Sequence, residues 1–301
     1  MNENIGYGKA HSKIILMGEH AVVYGYPAIA LPLTDIEVVC QILPADKPLV
    51  FDFYDTLSTA IYAALDYLQR LQEPIAYEIG SQVPQKRGMG SSAAVSIAAI
   101  RAVFSYCQEP LSDDLLEILV NKAEIIAHTN PSGLDAKTCL SDHAIKFIRN
   151  IGFETIEIAL NAYLVIADTG IHGHTREAVN KVAQFEETNL PYLAKLGALT
   201  EAVERAINQK NKVAIGQLMT QAHSALKAIG VSIGKADQLV EAALRAGALG
   251  AKMTGGGLGG CMIALADTKD MAEKISHRLK EEGAVNTWIQ MLSVSYTHLT
   301  L

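Results

Sequence analysis

The stretch Val83–Phe104 reads VPQKRGMGSSAAVSIAAIRAVF. A loop holding Pro84, Gly88 and Gly90 runs straight into Ser91-Ser92, and about a dozen small and apolar residues follow without Gly or Pro. This pattern predicts a glycine loop feeding the N-terminus of a buried helix. Such a terminus carries unpaired N–H groups and a partial positive charge, so it suits a phosphate. Glycines let the backbone approach the anion with no Cβ in the way. Lys86 and Arg87 place cationic side chains beside it. The same residues would also suit a Ser-capped turn before a core helix, and the stretch alone leaves both readings open.

Two nucleotide motifs fail here. A Walker loop requires a Lys after its last glycine, and none follows Gly90. Gly88-Met89-Gly90-Ser91-Ser92-Ala93 fits GxGxxA, but a dinucleotide fold needs an apolar strand ending at the first glycine. Pro84, Gln85, Lys86 and Arg87 stand there instead, and Glu109, near the spacing of a ribose-binding acid, falls in a CQEP turn.

The 301 residues are half hydrophobic, enough for one large or two medium domains. A net charge of −7 argues against a general nucleic-acid binder but allows a local cationic site for a small anion. Cys40, Cys107, Cys139 and Cys261 are scattered, which argues against a zinc site or a disulfide framework and suits a reducing cytoplasm. The sequence MNENIGYGKAHSK lacks the apolar core of a signal peptide, and no run is long enough to span a membrane. The expectation is a cytoplasmic chain with no nucleic-acid or membrane partner. Oligomeric state is left open, with a homodimer among the choices.

Outward from the glycine loop, apolar periodicity predicts strands at 14–17, 36–43, 49–53 and 75–79 and a helix over 57–71. A second helix spans 113–128 with Ser112 as N-cap, and Asn130-Pro131-Ser132-Gly133 breaks it. Strands are expected at 145–148, 155–159 and 163–167. Ala/Leu-rich helices then occupy 175–185, 192–208, 213–229 and 235–246, followed by strands at 251–254 and 261–265, a helix over 269–282 and a strand at 285–291. Residues 293–301 follow no pattern and read as a tail or an expression scar.

Several side chains stand out. Lys13 opens the first strand, where a solvated Lys is ordinary. Glu19-His20 sits between Gly18 and an apolar run. Glu117, Asn121, Glu124 and His128 share one helical stripe, as a solvated face would. Asp135 follows the NPSG break in a turn, where a cap is common. Gly255–Gly260 places five glycines in six positions between apolar strands, which implies close backbone approach to a ligand or to another part of the chain.

In this order the pieces resemble the GHMP kinase family, named for galactokinase, homoserine kinase, mevalonate kinase and phosphomevalonate kinase. Its first motif is similar to KIILMGEHAVVYG (Lys13–Gly25), its second to PQKRGMGSSAA (Pro84–Ala94) and its third to KMTGGGLGGC (Lys252–Cys261). Lys86-Arg87 is the one departure, since many members carry small residues there. The GEHAVVYG run and the Glu124–Asp135 block are most similar to the members that phosphorylate mevalonate.

The resemblance implies an α+β, two-domain fold. A ribosomal-protein-S5-like N-terminal domain would span 1–165, and a ferredoxin-like C-terminal domain with extra helices 166–292. It implies ATP-dependent phosphorylation of the primary hydroxyl of mevalonate, with Mg²⁺ accompanying ATP as co-substrate. Pro84, Lys86, Gly88, Met89, Gly90, Ser91, Ser92 and Ala93 would bind the nucleotide, and Ser92 and Glu124 would ligate Mg²⁺. Asp135 would accept the hydroxyl proton, and Lys13 would keep it ionised and neutralise developing charge. Glu19, His20, Thr175, Gly256 and Gly257 would bind the acceptor, or in the case of Glu19 and His20 order Lys13. Rival readings are a phosphomevalonate kinase, which needs extra basic residues in its cleft, and a non-catalytic sensor, which would lack one of Lys13, Glu124 or Asp135.

Overall fold

The computed structural model describes residues 5–127 and 133–292. The chain forms two compact units, and neither is one continuous stretch. The first takes the segment up to Lys13, Pro32–Gln85 and Gly90–Asp142, and the second takes Ile14–Leu31, Lys86–Met89 and the chain from His143 onward. Strands β1 (Gly6–Met17) and β2 (Ala28–Pro44) each contribute to both units.

β1 begins earlier than its apolar run predicts. Its inward positions are Gly6, Gly8, Ala10 and Ser12, too small to register as an apolar alternation. Along β2 the period of two is clear, with Ile36, Val38, Cys40 and Ile42 buried and Glu37, Val39, Gln41 and Leu43 half-buried. β3 (Ile75–Ser81) pairs antiparallel with this half, from Val38 opposite Ser81 to Pro44 opposite Ile75. The other end of β2 pairs with β4 (Ala144–Ile148), and β4 with β5 (Gly152–Ile156). Strand order in this sheet is β1-β2-β4-β5, with β3 also on β2. The first unit adds α1 (Thr56–Tyr67), α2 (Ser91–Cys107), α3 (Asp113–Ala127) and α4 (Leu134–Leu140).

Three expected elements are corrected. Residues 49–53 form no strand: Val50 is almost fully exposed, and Phe51 and Phe53 instead meet the Tyr62 ring edge-on. The strand expected at 155–159 lies at Gly152–Ile156, in register with β4. Asp135 stands in the first turn of a helix, α4, and not in an irregular turn. Ser112 caps α3 as expected, accepting a hydrogen bond from Leu115 N at 3.2 Å. His128, the 130–132 part of the NPSG break and the 293–301 tail lie outside the described residues.

In the second unit the sheet order is β7-β8-β6-β9, from β7 (Gly250–Met253), β8 (Cys261–Ala266), β6 (Ala162–Asp168) and β9 (Asn286–Leu292), with all pairs antiparallel. Helices α8 (Gly234–Ala246) and α9 (Lys269–Glu281) bury Leu239, Val240, Ala243, Ile275 and Leu279 against Val165, Met262 and Ala264. This is the β-α-β-β-α-β order of a ferredoxin-like sheet. Helices α5 (Thr175–Gln184), α6 (Glu186–Asn208) and α7 (Lys212–Ala228) are inserted before α8. No helix among the described residues is long and apolar enough to cross a membrane.

Candidate active site

The first unit assembles one cluster at the start of α2. Gly90 is the residue before the helix, at φ +69°, a left-handed conformation that costs glycine nothing. Space is equally restrictive. A Cβ on Gly90 would stand 2.7 Å from Lys13 Cγ, 2.9 Å from Lys13 Cε and 3.3 Å from Cys139 Sγ. The Lys13 stem therefore lies over the mouth of the helix, almost wholly buried, and its Nζ reaches Asp135 Oδ1 at 2.6 Å. The Asp135 side chain is 47% exposed, so the pair joins a buried cation to an accessible carboxylate.

In the first turn of α2, Ser92 Oγ donates to Glu124 Oε1 at 2.6 Å and lies 3.3 Å from Thr56 Oγ1. Glu124, on α3, is buried. Thr56 opens α1, whose cap Asp55 accepts from Ser58 N at 2.9 Å. The Cys139 thiol is pushed well up by burial, with Asp135 and Glu124 adding to the shift and Lys13 opposing it. A thiol under the field of all three charges reports how tightly the cluster is drawn.

The Ser92 and Glu124 oxygens fit a small hard cation. Their 2.6 Å separation is close to the roughly 3 Å between neighbouring oxygens of a Mg²⁺ octahedron with ~2.1 Å bonds. No group of three or more His, Cys, Asp or Glu side chains among the described residues could hold a metal by itself.

A second cluster lies within the second unit, where the chain leaving β1 meets the glycine loop between β7 and β8. His20, at φ +61°, is buried, and its Nε2 donates to Gly256 O at 3.0 Å. Burial drives its pKa down to about 4, so the ring is neutral and Nδ1 keeps its lone pair. A Cβ on Gly256 would collide with Thr175 Oγ1, so this backbone and that hydroxyl are in direct contact only because residue 256 is glycine. Gly257 O accepts from His174 N at 3.1 Å. Glu19 forms a fully buried ion pair with Lys252 through Oε1, while its Oε2 is buried with no hydrogen-bond partner among the described residues. Burial lowers the Lys252 pKa, and Glu19 opposes that shift.

Lys86 is exposed and its carbonyl accepts from Gly173 N at 2.8 Å. Arg87 is not available as the second cation of the loop. Its Nε lies 2.7 Å from buried Asp168 Oδ1 and its NH2 donates to Gly170 O at 3.1 Å, so both charges of this pair are spent within the second unit. The Nε contact is an ion contact without hydrogen-bond alignment. Met89 is fully buried, and Gly88 packs against Gly255.

The structure thus gathers Lys13, Gly90, Ser92, Glu124 and Asp135 in one unit and Glu19, His20, Thr175, Gly256 and Gly257 in the other. Sequence reasoning passed over Thr56, Lys252 and the Arg87–Asp168 pair. Lys252 carried a signal, since a Lys inside an otherwise apolar run before five glycines is unusual. Thr56 carried none.

Two glycine-rich loops, a helix mouth flanked by Ser92 and Glu124, and a ferredoxin-like sheet define a class. The model for the GHMP kinases N terminal domain matches residues 58–142, and that for the GHMP kinases C terminal matches 201–285. The chain belongs to the GHMP kinase family of ATP-dependent small-molecule kinases. Among its relatives, the mevalonate kinase of Pyrococcus furiosus is 34% identical, over 86% of this chain and 89% of its own length. The crystal structure of L. major mevalonate kinase in complex with R-mevalonate superposes with a TM-score of 0.84 at 27% identity, covering 98% of this chain and 97% of that one. Mevalonate kinase from methicillin-resistant Staphylococcus aureus gives a TM-score of 0.75 at 31% identity, covering 96% and 99%.

Proposed function

We propose that this chain is a mevalonate kinase, transferring the γ-phosphoryl group of ATP to the primary hydroxyl of mevalonate. The observation that carries the chemistry is the 2.6 Å contact between buried Lys13 and accessible Asp135 beside Gly90. Phosphoryl transfer needs positioning and charge neutralisation more than covalent chemistry. In this reading the α2 N-terminus, with the backbone of Gly90, Ser91, Ser92 and Ala93, holds the triphosphate. Pro84, Lys86, Gly88 and Met89 shape the loop that precedes it.

Asp135 takes the proton of the acceptor hydroxyl as its oxygen bonds to phosphorus and the bond to ADP breaks. Lys13 holds Asp135 in place, and its charge offsets that gathering on the transferred group. Ser92 and Glu124 would hold Mg²⁺, which when bound neutralises phosphate charge. Glu19, His20, Thr175, Gly256 and Gly257 form the acceptor side, with neutral His20 offering Nδ1 to a hydroxyl. We assign nucleotide binding to 1–165, the C-terminal kinase domain to 166–292, and the chain to the cytoplasm, in keeping with four free, buried cysteines. A coupled ADP-release assay over mevalonate, phosphomevalonate, galactose and homoserine tests the assignment. Turnover is expected to be best with mevalonate, and a higher kcat/KM for another of the four overturns it.

A further inference from the structure

The first and third motifs meet inside the second unit at three points. Thr254 Oγ1 donates to Ile15 O at 2.8 Å. His20 Nε2 donates to Gly256 O at 3.0 Å. Lys252 Nζ pairs with Glu19 Oε1, both side chains closed to solvent. The first two contacts use a hydroxyl and a neutral ring. The third removes two full charges from water, and their attraction seldom does more than balance that loss against an apolar pair of the same shape. A pair of this kind is therefore poorly explained by stability alone.

The lysine is also held from behind. The backbone N of Met253, the next residue, donates to His223 Nδ1 at 3.2 Å, and His223 Nε2 lies 3.2 Å from Asp237 Oδ1. Asp237 is in turn engaged by Lys227 at 2.8 Å and by Ser232 at 2.6 Å. Strand β7 is thereby pinned to α7 and α8, so Lys252 presents its charge from a fixed base. Glu19 sits between Gly18 and His20 in a corner where both neighbours hold positive φ.

We propose that Lys252 is a positioning residue for the phosphoryl acceptor: it fixes the Glu19 carboxylate, and with it the Gly18–His20 corner, against the glycine loop that carries Gly256. The inference rests on the reading of Glu19, His20 and Gly256 as the acceptor side. Without the ammonium, Glu19 is a buried carboxylate facing no cation, and it must take up a proton or leave its place. Either response moves the adjoining His20 relative to Gly256.

The test measures kcat/KM for the acceptor and KM for ATP in Lys252→Met, Glu19→Gln and the double variant. It uses whichever of the four acceptors above the wild-type chain phosphorylates, so a wrong acceptor assignment does not disturb it. Lys252→Met is expected to lower acceptor kcat/KM by roughly 10–100-fold, the range for removing a group that orients a binding residue, with KM for ATP within about twofold. Because Lys252 acts through Glu19, the double variant is expected to lose no more than the worse single variant. Losses that multiply, an acceptor kcat/KM within about twofold of wild type, or an equal rise in KM for ATP each overturn the proposal. If Lys252→Met does not fold, the double variant, which buries no stranded charge, takes its place. It should then match Glu19→Gln, and a further loss beyond Glu19→Gln refutes the inference. A wild-type chain that phosphorylates none of the four overturns both this inference and the kinase reading.

Discussion

At Asp135 the chemistry and the fold make separate demands. The carboxylate must be reachable and held in place, and 47% exposure with the Lys13 ion pair meets both. Asp135→Asn keeps the shape and removes the basicity, so kcat is expected to fall by about 10²–10⁴-fold with little change in ATP affinity. Lys13→Met should also lower kcat. Since the two act as one unit, the double variant should lose far less than the product of the single losses. Asp135→Asn within about threefold of wild-type kcat, with chemistry rate-limiting, would remove it as an essential base.

His20 makes a different kind of prediction. Its folded pKa of about 4 lies below the ordinary 6.5, so the unfolded chain takes up the proton first as pH falls. The stability that this histidine contributes is therefore complete above 6.5 and is lost between 6.5 and about 4, to a limit of roughly 3 kcal/mol. Urea unfolding at pH 7 and pH 4.5 should show a larger loss for wild type than for His20→Gln. Parallel losses would mean that the ring is reached by water.

Among the elements, α2 carries the phosphate reading. Ser92→Ala deletes one of two oxygens that lie 2.6 Å apart, and should weaken Mg²⁺-ATP use by roughly 10–100-fold. Wild-type turnover at limiting magnesium would exclude that role. The cap of α1 is a purely structural control. Asp55→Ala removes the acceptor of Ser58 N and should lower stability by about 1 kcal/mol, read as a shift in denaturation midpoint.

Element legibility followed side-chain size. β2 and α2 announce themselves by large or uniformly apolar residues, whereas the inner face of β1 is Gly6, Gly8, Ala10 and Ser12 and reads as loop. Helix α4 is seven residues long and starts right after Gly133, too short for a 3.6-residue period to emerge. The 49–53 run has strand-like residues, but propensity yields to the edge-on stacking of Phe51 and Phe53 on Tyr62.

For the whole molecule, the glycine motifs made the family legible because glycine is required wherever backbone or side chain must pass close, as at Gly90 under Lys13. The partners of buried charges were not legible. Lys252 finds Glu19 across 233 positions, and Arg87 finds Asp168 from another segment; no local pattern encodes such pairings. The composition shift near 160–175 marks where long helices begin. It says nothing of segments 14–31 and 86–89, which return to pack with that later chain.

That interleaving gives the protein a history as well as a shape. On a ribosome adding roughly 5–20 residues per second, Glu19 is made on the order of ten to fifty seconds before Lys252. Segment 14–31 spends that interval without β7 and the glycine loop after it, which supply Lys252 and Gly256 to Glu19 and His20. Completion of the second unit therefore waits for β7 and β8, and the earliest segments depend on these late ones.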